Sequence, residues 1–73
     1  MEIIPIETEY IKLDSFLKLA GAAGTGGEAK LLIAAGEALV NGEPCTQRGK
    51  KLRPGDTVSL RGKEYRLTDG PAP

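Results

Sequence analysis

Lys12-Leu13-Asp14-Ser15-Phe16-Leu17, Thr25-Gly26-Gly27-Glu28-Ala29-Lys30, Val40-Asn41-Gly42 and Arg48-Gly49-Lys50-Lys51-Leu52-Arg53-Pro54-Gly55-Asp56 follow one another in this chain, and their order decides the fold. In the first segment Leu13, Phe16, Leu17 and Ala20 recur at three and four residues, which sets them on one helical face and leaves Lys12 and Lys18 off the apolar stripe. Asp14 falls near the start of that helix, where its carboxylate faces the positive end of the helix dipole. Thr25 stands three residues before Glu28, the capping-box spacing in which hydroxyl and carboxylate satisfy the exposed N–H groups of a second helix reciprocally. Ala29, Leu32 and Ile33 share a face of this helix, and Gly36 supplies the left-handed position that stops it. Between the helices, Gly21-Ala22-Ala23-Gly24 reads as a flexible, compact connection. The spacing predicts helices over 12–20 and 26–35, packed as an antiparallel or steeply crossed pair.

After Gly36 the texture changes to strands and turns. Asn41-Gly42 best tolerates the positive φ angles of a tight hairpin turn, and Pro54-Gly55 makes a second turn. Strands are predicted around 38–41, 44–47, 57–60 and 64–68, with Val58 and Leu60 facing the core beside Tyr65 and Leu67. Glu2 to Ile6 contains Pro5, so if it joins the sheet it does so at an edge, where a missing N–H does no harm. The segment 69–73 is too poor in apolar residues to fold and is expected to fray. The fold class expected is α+β, two short packed helices followed by a small, mostly antiparallel sheet. Its 73 residues allow one domain, since no second core could be built beside the first.

With 40% hydrophobic residues but one Phe, two Tyr and no Trp, the core must be aliphatic. Such a core rarely supplies more than about 3–5 kcal/mol of net stability. The single Cys45 excludes an internal disulfide and fits a small apolar position beside a strand in a reducing cytoplasm. No apolar run approaches the roughly 20 residues that span a bilayer, and Glu2 stands where an export signal would begin with basic residues. Histidine is absent, which removes the commonest general base and metal ligand near neutral pH. Neither an enzyme nor a cofactor or metal site is expected, and the chain is read as a cytoplasmic monomer.

Formal net charge is zero, but its distribution is uneven. Residues 1–47 carry three lysines against seven acids, a net of minus four, whereas residues 48–66 carry seven cations against Asp56 and Glu64, a net of plus five. Such a segment is either a confined docking surface for a polyanion or a solvated basic edge. Four of its cations, Arg48, Lys50, Lys51 and Arg53, lie within six residues and are interrupted by Gly49, which lets a backbone approach closely. Arginine grips phosphate by two hydrogen bonds and lysine acts as a point charge. The Gly24-Thr25-Gly26-Gly27 stretch lacks the Lys-Ser or Lys-Thr of a nucleotide-triphosphate loop, yet its bare N–H groups at a helix start could hold a phosphate.

Taken together, Lys12-Leu13-Asp14, Thr25-Gly26, Val40-Asn41-Gly42 and Pro54-Gly55-Asp56 stand in an order that resembles the S4-like RNA-binding domain, or alpha-L motif, and above all its small free-standing bacterial members. In that family an Arg-Leu-Asp opens the first helix and a Ser-Arg the second, so Lys12 stands at the first Arg and Gly26 at the second. Lysine cannot reproduce a bidentate contact, and Gly26 carries no charge; Lys30, one turn later, is the candidate replacement. The resemblance implies an RNA-binding surface made of Lys12, Thr25, Gly26, Gly27, Lys30, Arg48, Lys50, Lys51 and Arg53. It also implies structured RNA as the partner, ribosomal RNA or a ribosome assembly intermediate first and transfer RNA next. Phe16 and Tyr65 belong to core positions and leave Tyr10 as the one aromatic residue available to a base, so the expected mode is recognition of RNA shape and backbone. The competing class is a protein-interaction module or ubiquitin-like carrier, whose sheet uses similar turns; the ending Gly70-Pro71-Ala72-Pro73 lacks the Gly-Gly that carrier chemistry requires.

Overall fold

Two short strands precede the helices that the periodic segments form. In the computed structural model, which describes residues 1–70, β1 (Glu2–Ile6) and β2 (Ile11–Lys12) lead into α1 (Leu13–Leu19) and α2 (Gly26–Ala34). Then follow β3 (Ala38–Val40), β4 (Glu43–Pro44), β5 (Lys51–Leu52), β6 (Thr57–Leu60) and β7 (Lys63–Asp69). Five strands make one sheet in the order β1-β7-β6-β3-β4, antiparallel except for the β1–β7 pair. β2 and β5 form a separate antiparallel ladder that pairs Ile11 with Leu52 and Lys12 with Lys51. The architecture is the expected α+β arrangement of two packed helices and a mostly antiparallel sheet.

The helical stripe and the inward faces of the strands meet in one core. Leu13, Phe16 and Leu17 of α1 and Ala29, Leu32 and Ile33 of α2 are buried against Ala38, Val40, Val58, Leu60, Tyr65 and Leu67. Leu13, Phe16 and Leu17 have no exposed surface, so each contributes roughly 1.5–3 kcal/mol of burial. The rings of Phe16 and Tyr65 meet edge to face at 6.0 Å. Cys45 is half-buried and packs against this cluster, as expected of a small apolar residue beside a strand.

Both helices stop in the same way. Gly21 and Gly36 adopt φ of 75° and 76°, and in each case this glycine and the residue after it donate back into the last turn. After α1 the Gly21 N–H donates to Lys18 O and the Ala22 N–H to Leu17 O; after α2 the Gly36 N–H donates to Ile33 O and the Glu37 N–H to Leu32 O. This is the Schellman pattern. The connection Gly21–Gly24 is therefore not the flexible segment its composition suggested, because the Ala23 N–H also donates to Leu17 O and Ala23 is buried.

The tight turn at Asn41-Gly42 forms with positive φ at both residues, 52° and 86°, and joins β3 to β4. β4 covers Glu43–Pro44 instead of running over 44–47, and past it a single backbone bond, from the Cys45 N–H to Ala38 O at 3.0 Å, continues the contact with β3. Arg61-Gly62 repeats the positive-φ pair where Gly62 separates β6 from β7, with Arg61 at a φ of 50° that arginine rarely adopts. β1 takes the sheet edge expected for a proline-containing strand, with Pro5 opposite Thr68. Asp69 belongs to β7, and Gly70 donates its N–H to Ile6 O, so the fraying expected from residue 69 does not begin there. Gly70 lies so close to β1 that a Cβ there would stand 2.5 Å from the Pro5 Cβ. The rest of that expected tail, 71–73, lies outside the described residues.

Candidate functional site

The basic loop is held to the first helix by its backbone. α1 has no side-chain cap at Lys12; its first N–H groups are satisfied from a distance, Leu13 donating to Lys50 O at 2.9 Å and Asp14 to Arg48 O at 3.1 Å. Asp14 itself accepts from the Ser15 N–H at 2.7 Å, the structural role expected of a carboxylate in the first turn. The β2–β5 ladder continues the attachment and sets Lys12 across from Lys51. With loop carbonyls turned toward the helix, the side chains of Arg48, Lys50, Lys51 and Arg53 are exposed, as is that of Lys12.

At its far end the loop is clasped. The Asp56 carboxylate accepts from the Arg53 N–H at 2.8 Å and from Asn41 Nδ2 at 3.2 Å, while Asn41 Oδ1 accepts from the Thr57 N–H at 2.9 Å. The two turns read separately in the sequence, Asn41-Gly42 and Pro54-Gly55-Asp56, are thus one hydrogen-bonded unit. Sequence reasoning missed Asn41 and Asp56 as joint supports of the loop, because the bonds from Asn41 to Asp56 and to Thr57 span 15 and 16 residues. An open depression of about 510 Å³, lined in part by Asn41, Thr46, Gln47 and Lys50, adjoins the loop.

None of these cations is neutralised. Among the described residues the ion pair within 4 Å is Arg61 with Glu37, Nε to Oε1 at 2.8 Å, and it takes Arg61 out of the basic segment counted along the chain. The hydrogen-bonded guanidinium of Arg61 holds the Glu37 carboxyl below the usual carboxylate range. Lys12, Lys30, Arg48, Lys50, Lys51 and Arg53 have no acidic partner among the described residues. Their charge is available to an anion from outside.

Thr25, Gly26, Gly27 and Lys30 form a second group at the start of α2. Thr25 Oγ1 accepts from the Glu28 N–H at 3.0 Å, so the predicted cap forms. Its reciprocal half shifts by one residue, since Glu28 Oε1 accepts from the Gly24 N–H at 3.2 Å instead of reaching Thr25. Gly26 and Gly27 are exposed residues, and their N–H groups find no acceptor among the described residues. A Cβ on Gly26 would stand 3.9 Å from Lys18 Cδ, so the Lys18 stem runs beside this helix start. Sequence reasoning left Lys18 outside the candidate site, although its position off the apolar stripe was the available signal. Among the described residues no hydrogen bond or ion pair joins this group to the basic loop. No three His, Cys, Asp or Glu side chains among those residues could together hold a metal, and no helix is long and apolar enough to cross a membrane.

An exposed cationic loop anchored to the first helix of a two-helix, small-sheet fold defines a module of the alpha-L type, and the comparison with known families agrees. The S4 domain profile matches residues 4–68, and the chain belongs to that family. Its relatives include a Bacillus subtilis (strain 168) protein, Probable ribosome maturation protein RlbA, 49% identical over 59 residues that cover 81% of this chain and 83% of that one. The Escherichia coli (strain K12) protein YbcJ is 38% identical over 58 residues, 80% of this chain and 83% of its own. The solution structure of YbcJ, described as revealing an alpha-L motif involved in RNA-binding, superposes with a TM-score of 0.72 at 30% identity, covering 93% of this chain and 87% of that one. The 30S ribosomal protein S4e of Thermoplasma acidophilum shares the fold at a TM-score of 0.63 and 20% identity, over 82% of this chain and 32% of its own.

Proposed function

We propose that this protein binds structured RNA through the sugar-phosphate backbone, with Lys12, Arg48, Lys50, Lys51 and Arg53 as the principal contacts. The observation that carries this reading is the set of exposed, unpaired cations held on one anchored loop and ladder. A loop whose carbonyls are already engaged presents its side chains without first being ordered, which lowers the entropy lost on binding. Thr25, Gly26, Gly27 and Lys30 form the second contact region, where free N–H groups at the helix start attract a phosphate. Lys18, whose stem runs beside Gly26, joins Lys30 in supplying the charge that Gly26 lacks. The partner proposed is ribosomal RNA or a ribosome assembly intermediate, with transfer RNA next; the ribosome maturation role in the name of the RlbA relative supports the first. The protein acts as a cytoplasmic monomer and performs no reaction of its own.

Replacing Arg48, Lys50, Lys51 and Arg53 together by Gln tests the reading, because the fold uses the loop's backbone while RNA would use its side chains. The variant is expected to keep the parent's thermal stability and to lose binding to a folded RNA stem. For the parent, about four phosphate contacts give a slope of log affinity against log salt of roughly minus three, or about fifty- to hundredfold between 50 and 200 mM. A variant that binds the stem as tightly as the parent at every salt concentration would reduce the loop to a solvated edge and favour a protein partner.

A further inference from the structure

The β2–β5 ladder has one face in the core and one in solvent. Leu52 is fully buried and Ile11 packs against the core, while Lys12 and Lys51 point outward. Alternation along the strand carries Tyr10 to the same outward side as Lys12. Tyr10 is 38% exposed as a residue, and its ring lies beneath the Lys51 ammonium, 4.9 Å from Nζ to the ring centroid. Thr8 Oγ1 donates to the Tyr10 carbonyl at 2.7 Å and steadies the backbone that presents the ring. Of the chain's three aromatic residues, Phe16 and Tyr65 are core residues, so Tyr10 is the ring that faces solvent, and it does so inside the cationic surface.

We infer that Tyr10 is a stacking platform for one unpaired nucleobase flanking the stem that the basic loop holds, with Lys51 passing from the ring to the adjoining phosphate as the base takes its place. The inference rests on the RNA-binding reading and adds to it a preference for a stem next to an unpaired nucleotide. An exposed cation–π contact is weak, whereas a charge-assisted bond from ammonium to phosphate is stronger, so the exchange runs toward the bound state. Every base offers a π face, which makes the platform tolerant of sequence while still distinguishing a paired base from an unpaired one. Lys51 thereby covers the ring in the free protein and releases it in the complex.

Two RNAs separate this inference from the reading beneath it: a blunt stem, and the same stem with one bulged 2-aminopurine. The parent is expected to prefer the bulged stem by roughly fivefold, the low end for base–aromatic stacking because the ammonium must be displaced, and to quench the 2-aminopurine fluorescence. Tyr10→Phe should retain preference and quenching. Tyr10→Leu should lose both and keep the blunt-stem affinity. If the parent binds both stems equally without quenching, or if Tyr10→Leu keeps the preference, the platform is refuted while the basic loop stands. A parent that binds neither stem refutes both.

Discussion

The two helices begin in opposite ways. α2 is capped from within, by a threonine three residues before the N–H it satisfies. α1 is capped from outside, by the carbonyls of Arg48 and Lys50, more than thirty residues further along the chain. The local cap fixes a helix end and little else. The remote cap fixes two things at once, because the segment that completes the helix also carries the exposed cations, so the geometry of the candidate site and the integrity of α1 are coupled.

Insertion of two glycines between Gly49 and Lys50 should break that coupling most severely. The longer loop frees Arg48 O from Asp14 and undoes the turn in which the Lys50 N–H donates to Gln47 O. The expected loss is about 2 kcal/mol, two hydrogen bonds at roughly 1 each. Amide exchange should quicken at Asp14 and leave Glu28 unchanged; equal protection in parent and insertion would mean that the remote carbonyls are incidental. Thr25→Ala addresses the other helix and should cost about 1 kcal/mol, with faster exchange at Glu28 alone. Unchanged thermal stability would count against a working local cap.

The smallest effect is expected at the other end of α2, where Glu37 pairs with Arg61. Because the Glu37 carboxyl is held below its ordinary value, the pair stabilises the fold above the usual carboxylate range and loses that contribution as pH falls through the lowered pKa. Glu37→Gln should therefore lower the melting temperature slightly at pH 7 and not at all in strong acid, with the gap at pH 7 shrinking in high salt. A gap that widens on acidification would reverse the assigned sign.

What was legible in the sequence divides along the same line as the two caps. Leu13, Phe16 and Leu17, the Thr25–Glu28 spacing, the Asn41-Gly42 turn and the alternation of Val58 with Leu60 are patterns completed within a few residues, and each formed. The β2–β5 ladder was not legible, since two residues on each side are too few to show alternation. Nor was the clasp between Asn41 and Asp56, because each residue already had a sufficient local explanation as part of a turn. For the candidate site, residue types and exposure could be read from the order of motifs. That Lys12 faces Lys51, and that Lys18 rather than a loop cation adjoins Gly26, are products of tertiary pairing.

The parallel pairing of β1 with β7 sets a timetable for folding. Glu2 meets Tyr65 and Ile6 meets Asp69, so the first strand to emerge must wait for nearly the whole chain before its partner exists. The helices and the β3–β4 hairpin need only near neighbours and can form early, whereas the ladder that closes the sheet carries the largest loop-closure entropy and should form late. Until then β7 presents an open edge with Tyr65 and Leu67 beside it, and a chain halted before that closure is the species most prone to pair with a second copy of itself.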